Sequence, residues 1–261
     1  MTATSAVRIV SLYPELLGTY GDGGNAIVLR RRLEWRGIAV DHVVVDGATA
    51  VPTDGDLYLV GGGEDGPQTE AARRLTNDGG LHRAVERGAV VFAVCAGMQI
   101  LGHRFPGPDG VDHPGLSLLD CDTVRVDRPR AVGELLTVDG ALGGPDGPID
   151  LGRLTGFENH AGRTIPGATA RSLGRVDVGE GNGDRTEGVV CGRVVGTYLH
   201  GPALARNPAL ADALASFVVG SAALTPLDDA EIDALRADRI RAASSAELAP
   251  RRSWRDRLRR T

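Results

Sequence analysis

The segment from Val90 to Gln99 constrains the fold more than any other part of the sequence. Its first half, Val90–Val94, is apolar and β-favouring, which is typical of a strand buried on both faces of a sheet. Cys95 follows at once, and then a small residue and a glycine begin a helical pattern. Such a sharp strand-to-helix turn predicts a parallel α/β sheet, and it raises Cys95 to the carboxyl edge where these sheets bind ligands.

Cys95 has two interpretations on this local pattern. At a helix N-terminus, the dipole and the free N–H groups of the first turn favour a thiolate, as in a nucleophile elbow with sulfur in place of oxygen. The alternative is a buried and inert cysteine, which is how most free cysteines occur. The local pattern leaves both interpretations open.

Two further motifs favour a catalytic cysteine. The segment Gly192–Pro202 reads as a short strand that ends in His200, and a histidine at a neighbouring strand end can activate a thiol. Upstream, a strand from Asp56 runs into Gly61–Gly63, where the backbone can approach a ligand closely. With the N–H of Ala96, this loop predicts an oxyanion hole for a tetrahedral intermediate. Each feature has an ordinary structural explanation, but three consistent features together favour catalysis.

These motifs, in this order, resemble class I glutamine amidotransferases of the cobyric-acid-synthase-like branch. The resemblance covers roughly residues 7–220. Within that branch the chain most resembles the GatD-type glutaminase subunits of lipid II isoglutaminyl synthase. That narrower match depends on Tyr20–Asn25 (YGDGGN), Gly156–Thr164 (GFENHAGRT) and Gly179–Asn182 (GEGN). The Gly-Phe-Glu-Asn-His stretch is the most discriminating of these signals, and its His160 is a candidate for lining the site.

The resemblance implies an α/β fold of the flavodoxin-like three-layer type with a short antiparallel segment. It implies that Cys95 attacks the side-chain amide of glutamine, and that His200 takes the thiol proton and returns it to departing ammonia. No metal is implied. The substrate-binding groups that it implies, including the oxyanion donors, are Gly62 or Gly63, Ala96, Gln99 and Arg130. Arg128 is the alternative alignment for Arg130, since it lies two residues away.

One position departs from the wider family. Many class I amidotransferases carry a glutamate two residues after the histidine, which orients the imidazole and completes a triad. Here that position is Pro202, so we expect a Cys–His dyad. Asp22 and Glu158 are weak candidates for the group that orients His200.

The basic residues exclude one kind of chemistry. All 29 are arginines, so the chain has no Walker A lysine for a nucleotide phosphate and no lysine for a Schiff base. We therefore expect no cofactor in this chain, and ATP with Mg²⁺ on another one. The resemblance also implies that the ATP site lies on a second chain. It implies a heterodimer with a Mur-ligase-like MurT subunit, which uses the ammonia to amidate the D-glutamate of lipid II.

Composition sets the broad class. The chain has 261 residues, of which 42% are hydrophobic, enough for one sizeable α/β domain or two small ones. It has no apolar run of membrane-spanning length and no signal-peptide pattern, so we expect a cytoplasmic protein, near the membrane only through lipid II. Three widely spaced cysteines argue against a disulfide framework or zinc site, and a net charge of −5 gives no nucleic-acid footprint.

Periodicity and turn signals predict one domain and an extension. Residues 1–222 form the amidotransferase domain, and 223–261 hold a helix over Leu227–Ala243 and the arginine-rich tail Arg251–Thr261. The stretch from Leu116 to Thr197 reads as an antiparallel segment with Gly, Pro and Asp turns. The other predicted strands are Val7–Ser11, Ala39–Val45, one into Gly61 and Val90–Val94; the predicted helices are Asn25–Trp35, capped by Asn25, Thr69–Asn77, Leu81–Arg87 and Pro208–Val219.

Three alternatives stay open on the sequence. The same glutaminase chemistry could serve another acceptor, such as a corrinoid carboxylate. A different thiol enzyme on a flavodoxin-like fold, for instance a γ-glutamyl hydrolase, fits the missing glutamate. A non-catalytic amidotransferase-like protein that binds a partner, or a redox sensor built on Cys95, is the third.

Overall fold

The computed structural model describes residues 6–221 and 223–248, and numbering its elements in chain order gives sixteen strands and seven helices there. The helices are α1 (Gly24–Glu34), α2 (Asp65–Asp78), α3 (Gly80–Glu86), α4 (Ala96–Leu101), α5 (Ala203–Arg206), α6 (Pro208–Val219) and α7 (Ala230–Leu248). The strands are β1 (Val7–Leu12), β2 (Val40–Val45), β3 (Leu57–Val60), β4 (Val90–Val94), β5 (Arg104–Pro106), β6 (Asp112–Pro114), β7 (Cys121–Arg125), β8 (Ala131–Val138), β9 (Gly140–Gly144), β10 (Gly147–Gly152), β11 (Thr155–His160), β12 (Gly162–Pro166), β13 (Gly174–Val178), β14 (Thr186–Glu187), β15 (Val189–Cys191) and β16 (Val194–Thr197).

A six-stranded sheet forms the centre of the molecule, in the order β15-β16-β4-β3-β1-β2. All neighbours in it are parallel except β15, which pairs antiparallel with β16 at one edge. Helices α1, α5 and α6 pack together on one face, and α2 and α4 pack together on the other. This order is the doubly wound, flavodoxin-like one, so the predicted α/β three-layer fold is confirmed.

An antiparallel segment is also confirmed, but its bounds differ from the prediction: it begins earlier, at Arg104, and β16, which lies inside the predicted range, pairs parallel with β4 in the central sheet. The segment forms two four-stranded sheets, β11-β8-β13-β14 and β12-β7-β5-β6, and the hairpin of β9 with β10. Strands β11 and β12 are consecutive in the chain but belong to different sheets. The short link between them, around Ala161, therefore joins the two sheets.

Sheet register brings the two predicted catalytic residues to the same edge. Strand β4 is buried throughout and lies between β3 and β16, as its apolar run predicts. Val94, its last residue, pairs with Thr197, the last residue of β16. Because both strands run in the same direction, Cys95 and His200 emerge together at the carboxyl edge.

The predicted cap of α1 is wrong. The helix begins one residue earlier, at Gly24, and Asn25 lies inside its first turn. Its side-chain oxygen instead accepts the backbone N–H of Leu204 at 3.0 Å, which ties α1 to α5. Asparagine favours helix caps, but Asn25 instead contacts a residue 179 positions away along the chain.

The C-terminal helix is shifted relative to its prediction. It runs from Ala230 to Leu248 rather than over Leu227–Ala243. The guanidinium of buried Arg32 donates to both Asp212 and Asp229, which fastens the segment before the helix to the domain. The division at residue 222 stays a prediction, and the arginine-rich tail lies outside the described residues. Within the described ranges, no helix has the length and apolarity needed to cross a membrane.

Candidate active site

Cys95 occupies a strained turn between β4 and α4. Its backbone has φ 50° and ψ −108°, in a region that residues with a side chain rarely adopt. Its N–H donates to the carbonyl of Thr197 at 2.8 Å, so the neighbouring strand helps to hold the turn. A Cβ at Gly97 would lie 2.5 Å from the carbonyl oxygen of Val60, so the helix start packs closely on β3. The predicted strand-to-helix turn at Cys95 is confirmed.

His200 follows β16 and is 2% exposed. Its backbone pairs with Phe157 of β11: the N–H of His200 donates to the Phe157 carbonyl at 2.8 Å, and the reverse bond is 3.3 Å. The ring of Tyr20 lies over the imidazole, with the ring centroids 4.8 Å apart. The antiparallel region and the loop before α1 therefore fix the histidine that the parallel sheet supplies.

Asp22, and not Glu158, lies beside His200. Its Oδ2 is 3.6 Å from Nδ1 of His200, and both side chains are buried. The same oxygen accepts the N–H of Gly62 at 2.8 Å. A Cβ at Gly62 would come within 2.7 Å of the imidazole and 3.0 Å of the carboxylate, so only glycine fits between them. Glu158 accepts instead from His160, at 3.1 Å.

These surroundings keep His200 protonated at neutral pH. Burial alone lowers the pKa of His200, but interactions with Asp22 and Cys95 outweigh burial and raise it to about 10. Neither ring nitrogen has a partner within hydrogen-bond distance, so the contact with Asp22 is an ion-pair contact. A protonated imidazole next to a thiol can stabilise a thiolate and later donate its proton to a leaving group.

The two candidate oxyanion donors from the glycine loop differ in geometry. The N–H of Gly62 is occupied by Asp22, whereas Gly63 lines the pocket that contains Cys95. Ala96 is the first residue of α4, and N–H groups in the first turn of a helix have no intrahelical acceptor. The geometry favours Gly63 and Ala96 as the pair.

The pocket in front of Cys95 has a volume of about 300 Å³. Gln99 lines it, and the Gln99 amide is held at both ends: its oxygen accepts from Gln68 at 2.9 Å and its nitrogen donates to the Tyr198 hydroxyl at 3.1 Å. Sequence reasoning missed Gln68 and Tyr198. Tyr198 carried a signal, since it lies in the motif that ends in His200, but Gln68 carried none.

Arg130 lines the same pocket, and Arg128 does not. The guanidinium of Arg130 donates to the side-chain and main-chain oxygens of Asn159, and that main-chain oxygen lies 3.9 Å from the Cys95 sulfur. Arg128 pairs with Glu180 at 2.8 Å in a second cavity. Of the two possible alignments, the geometry favours Arg130.

The other two cysteines lie outside this pocket. Burial raises the pKa of the Cys121 thiol to about 12, and Cys191 accepts the N–H of Asp120 through its sulfur. Within residues 6–221 and 223–248, no group of three or more His, Cys, Asp or Glu side chains has the geometry to hold a metal ion.

Residues 8–208 match the CobB/CobQ-like glutamine amidotransferase domain. That match spans more than half of the chain and contains every element of the pocket described above. The chain belongs to this family. A solved structure titled "Crystal structure of glutamine amidotransferase" shares the fold, with a TM-score of 0.54 and 22% identity over 80% of this chain and 98% of that one.

Individual members of the family are similar over most of the chain. The GatD subunit of lipid II isoglutaminyl synthase from Staphylococcus aureus is 34% identical over 212 residues, which are 80% of this chain and 82% of that one. The GatD subunit from Streptococcus pneumoniae is 32% identical over 78% of this chain and 77% of its own. Cobyric acid synthase from Azorhizobium caulinodans is 36% identical, but over 58% of this chain and 30% of its own length. The predicted resemblance is confirmed, and this amidotransferase is a glutaminase-type domain.

Proposed function

We propose that this amidotransferase is the glutaminase subunit of a lipid II isoglutaminyl synthase. It hydrolyses glutamine and passes the ammonia to an ATP-dependent, Mur-ligase-like partner of the MurT type, which amidates the D-glutamate of the lipid II stem peptide. The chemistry is supported by Cys95 and His200 at one sheet edge beside a single pocket. The acceptor is supported by similarity to GatD subunits over about four-fifths of both chains.

In the proposed first half-reaction, Cys95 forms a thioester. The Cys95 thiolate attacks the side-chain carbonyl carbon of glutamine, and the oxyanion accepts hydrogen bonds from the N–H groups of Gly63 and Ala96. The imidazolium of His200 donates its proton to the amide nitrogen as the C–N bond breaks. Ammonia leaves, and the glutamyl group stays on the sulfur.

In the second half-reaction, neutral His200 acts as the base. It takes a proton from water, the hydroxide attacks the thioester carbonyl, and the C–S bond breaks to give glutamate and the Cys95 thiolate. His200 ends in its protonated form, ready for the next cycle. The buried position of the imidazole and its pKa of about 10 suit an acid that must hold a proton until the amide is attacked.

Asp22 takes the place of the absent glutamate in this proposal. The carboxylate faces Nδ1 of His200, so it holds the ring with Nε2 available to the thiol and stabilises the imidazolium. It comes from the loop before α1 rather than from the position after the histidine, which is Pro202. The residue that aligns the histidine is therefore supplied by a different loop from the one used in many class I enzymes.

The experiment that tests this function separates ammonia production from ammonia use. The chain is purified with its partner and given a lipid-linked muropeptide, ATP and either glutamine or an ammonium salt, and amidation is read from the mass of the acceptor. We expect glutamine and ammonium each to support amidation by the wild-type complex. Cys95→Ala should abolish the glutamine-driven reaction and retain the ammonium-driven one.

The possible outcomes of this experiment distinguish the proposed function from its alternatives. Partner-dependent amidation of a corrinoid carboxylate, with no muropeptide product, would reassign the acceptor. Equal loss of both reactions in Cys95→Ala would mean that Cys95 does more than release ammonia. Amidation from glutamine that is unaffected by Cys95→Ala would leave this chain a binding role only.

A further inference from the structure

Two buried side chains of the Gly156–His160 stretch are not used by the chemistry above. Glu158 and His160 are two residues apart on β11, so their side chains lie on the same face of the strand. They are 3% and 2% exposed. Their carboxylate and imidazole are joined at 3.1 Å. A buried pair of this kind is costly unless its hydrogen bonds are satisfied, so its partners determine its charge state.

Every contact of the His160 ring nitrogens is with an oxygen acceptor. Nδ1 lies 2.9 Å from the carbonyl oxygen of Gly162, and Nε2 lies 3.1 Å from Oε2 of Glu158. A carbonyl accepts only, so Nδ1 carries a proton. Glu158 in turn accepts backbone N–H groups from Glu180 and Gly181, at 2.8 and 3.0 Å, as an ionised carboxylate does. Both ring nitrogens therefore face oxygen atoms, an arrangement that fits an imidazolium paired with the Glu158 carboxylate.

The pair has a direction relative to the glutamine pocket. His160 lines the pocket in front of Cys95, together with Arg130. Glu158 instead lines the second cavity, which has a volume of about 660 Å³. The positive end of the pair thus faces the pocket, and the negative end is held on its far side. His160 is also stacked on Tyr198, with ring centroids 3.7 Å apart and planes at 14°, which fixes the orientation of the ring.

We infer that His160 is a specificity-determining residue for the α-carboxylate of the substrate, a role that rests on the proposed glutaminase function. Glutamine carries its negative charge at the α-carboxylate, remote from the amide that Cys95 attacks. A fixed positive charge in the pocket wall stabilises that group wherever water is partly excluded. Because both ring N–H groups are already used, His160 acts through its charge rather than through a direct hydrogen bond. Its effect is therefore on binding and not on bond cleavage.

The test compares two substrates that differ only at this group. L-Glutamine carries an α-carboxylate, and its α-amide, glutaminamide, has nearly the same shape with an uncharged amide in that place; both keep the α-amino group. Steady-state kinetics of ammonia release from the γ-amide are measured for the full chain and for two variants, His160→Gln and Glu158→Gln. The second variant removes the carboxylate that holds the charge and provides the answer if the first does not fold. His103→Gln is the matched control, since His103 is a half-exposed histidine paired with Asp120 outside the pocket.

We expect a selective loss. His160→Gln should raise KM for glutamine by about tenfold with kcat changed by less than about twofold, as loss of binding energy alone does. Values for glutaminamide should stay within about twofold of wild type. An equal loss on both substrates would overturn the inference, because the pair would then serve only to hold the pocket together. A wild-type chain that hydrolyses neither substrate even when assayed with its partner would overturn the proposed function, and this role with it.

Discussion

The two halves of the candidate active site come from regions that are built differently. The carboxyl edge of the parallel sheet contributes Cys95 and His200, and the loops at that edge contribute Asp22 and Gly63. The antiparallel region contributes Arg130 and His160 to the pocket wall. Buried strand ends give the first group a fixed and strained geometry, whereas Arg130 of the second group is exposed and lies just before β8. Under the proposed function, this difference predicts that substitutions can change bond cleavage and substrate recognition separately.

Several contacts connect the two halves. Phe157 pairs with His200 through the backbone, and the carbonyl oxygen of Asn159 lies 3.9 Å from the Cys95 sulfur. A Cβ at Gly156 would come within 2.9 Å of Cα of Leu199, so the two segments are in close contact there. The Gly156–His160 stretch, the most discriminating signal in the sequence, thus connects the two halves.

The largest expected effect lies in the parallel half. Cys95→Ser should retain the fold, since the two side chains are similar in size. It should lower glutamine hydrolysis by on the order of 10⁴-fold or more, because a hydroxyl ionises far less readily than a thiol. Ammonia release is the measurement, and circular dichroism is the check on folding. Cys121→Ser is the matched control and should stay near wild type.

The next effect concerns the acid and base. His200→Ala should lower kcat by about 10²–10⁴-fold, the usual contribution of general acid–base catalysis, and leave KM nearly unchanged. The comparison of the two halves predicts this split between kcat and KM. A variant with near wild-type kcat would mean that another group handles the proton.

Asp22→Asn should have a smaller effect on the rate and should also change its pH dependence. His200 is protonated below its raised pKa of about 10. Its ion pair with Asp22 therefore contributes fully to folded-state stability below the pKa that His200 has in the unfolded chain. This contribution is lost as the pH rises through about 10. Asp22→Asn removes a cause of the raised pKa, so the alkaline limb of the rate profile should move to lower pH. The rate at neutral pH should fall by about 10- to 100-fold, the equivalent of losing one to two pKa units of charge stabilisation of the imidazolium.

The control for this variant is Asp54→Asn. Asp54 forms an exposed ion pair with Arg8 before β3, at the opposite edge of the sheet from the pocket. It should leave the pH profile unchanged. An alkaline limb that stays in place in Asp22→Asn would show that this carboxylate does not set the pKa of His200.

The smallest effect tests the close packing at Gly62. A methyl group there meets both the His200 ring and the Asp22 carboxylate, so Gly62→Ala should separate them and lower kcat by about tenfold, as small misplacements of catalytic groups do. Gly66→Ala in α2 has open space around its Cβ and serves as the control. The kcat of both variants is measured under the same conditions. If Gly62→Ala matched wild type as closely as Gly66→Ala does, the packing argument would be contradicted.

The sequence predicted the parallel half of the pocket well, for physical reasons. Val90–Val94 is apolar enough to be buried on both faces, and a glycine two residues after Cys95 is needed for the close approach of α4 to β3. These are local requirements that a short pattern expresses. The elbow and the carboxyl edge therefore follow from a few residues.

Contacts between distant segments were harder to predict. Asp22 and Glu158 were equal candidates beside His200, and only the three-dimensional arrangement separates them, because Asp22 lies in the loop before α1 while Glu158 is bonded to His160. Gln68 holds Gln99 from a different helix, with no periodicity or motif to indicate it. Such pairings depend on how elements pack and not on their own sequences.

The most direct test of the account is covalent labelling with a glutamine-mimicking electrophile, followed by peptide mass spectrometry. If the pocket binds glutamine and Cys95 is its nucleophile, the wild-type chain gains one adduct, on the peptide that contains Cys95. Cys121 and Cys191 should stay unmodified, excess glutamine should protect, and Cys95→Ala should gain nothing. An adduct that persists in Cys95→Ala, or that glutamine does not prevent, would contradict the central claim.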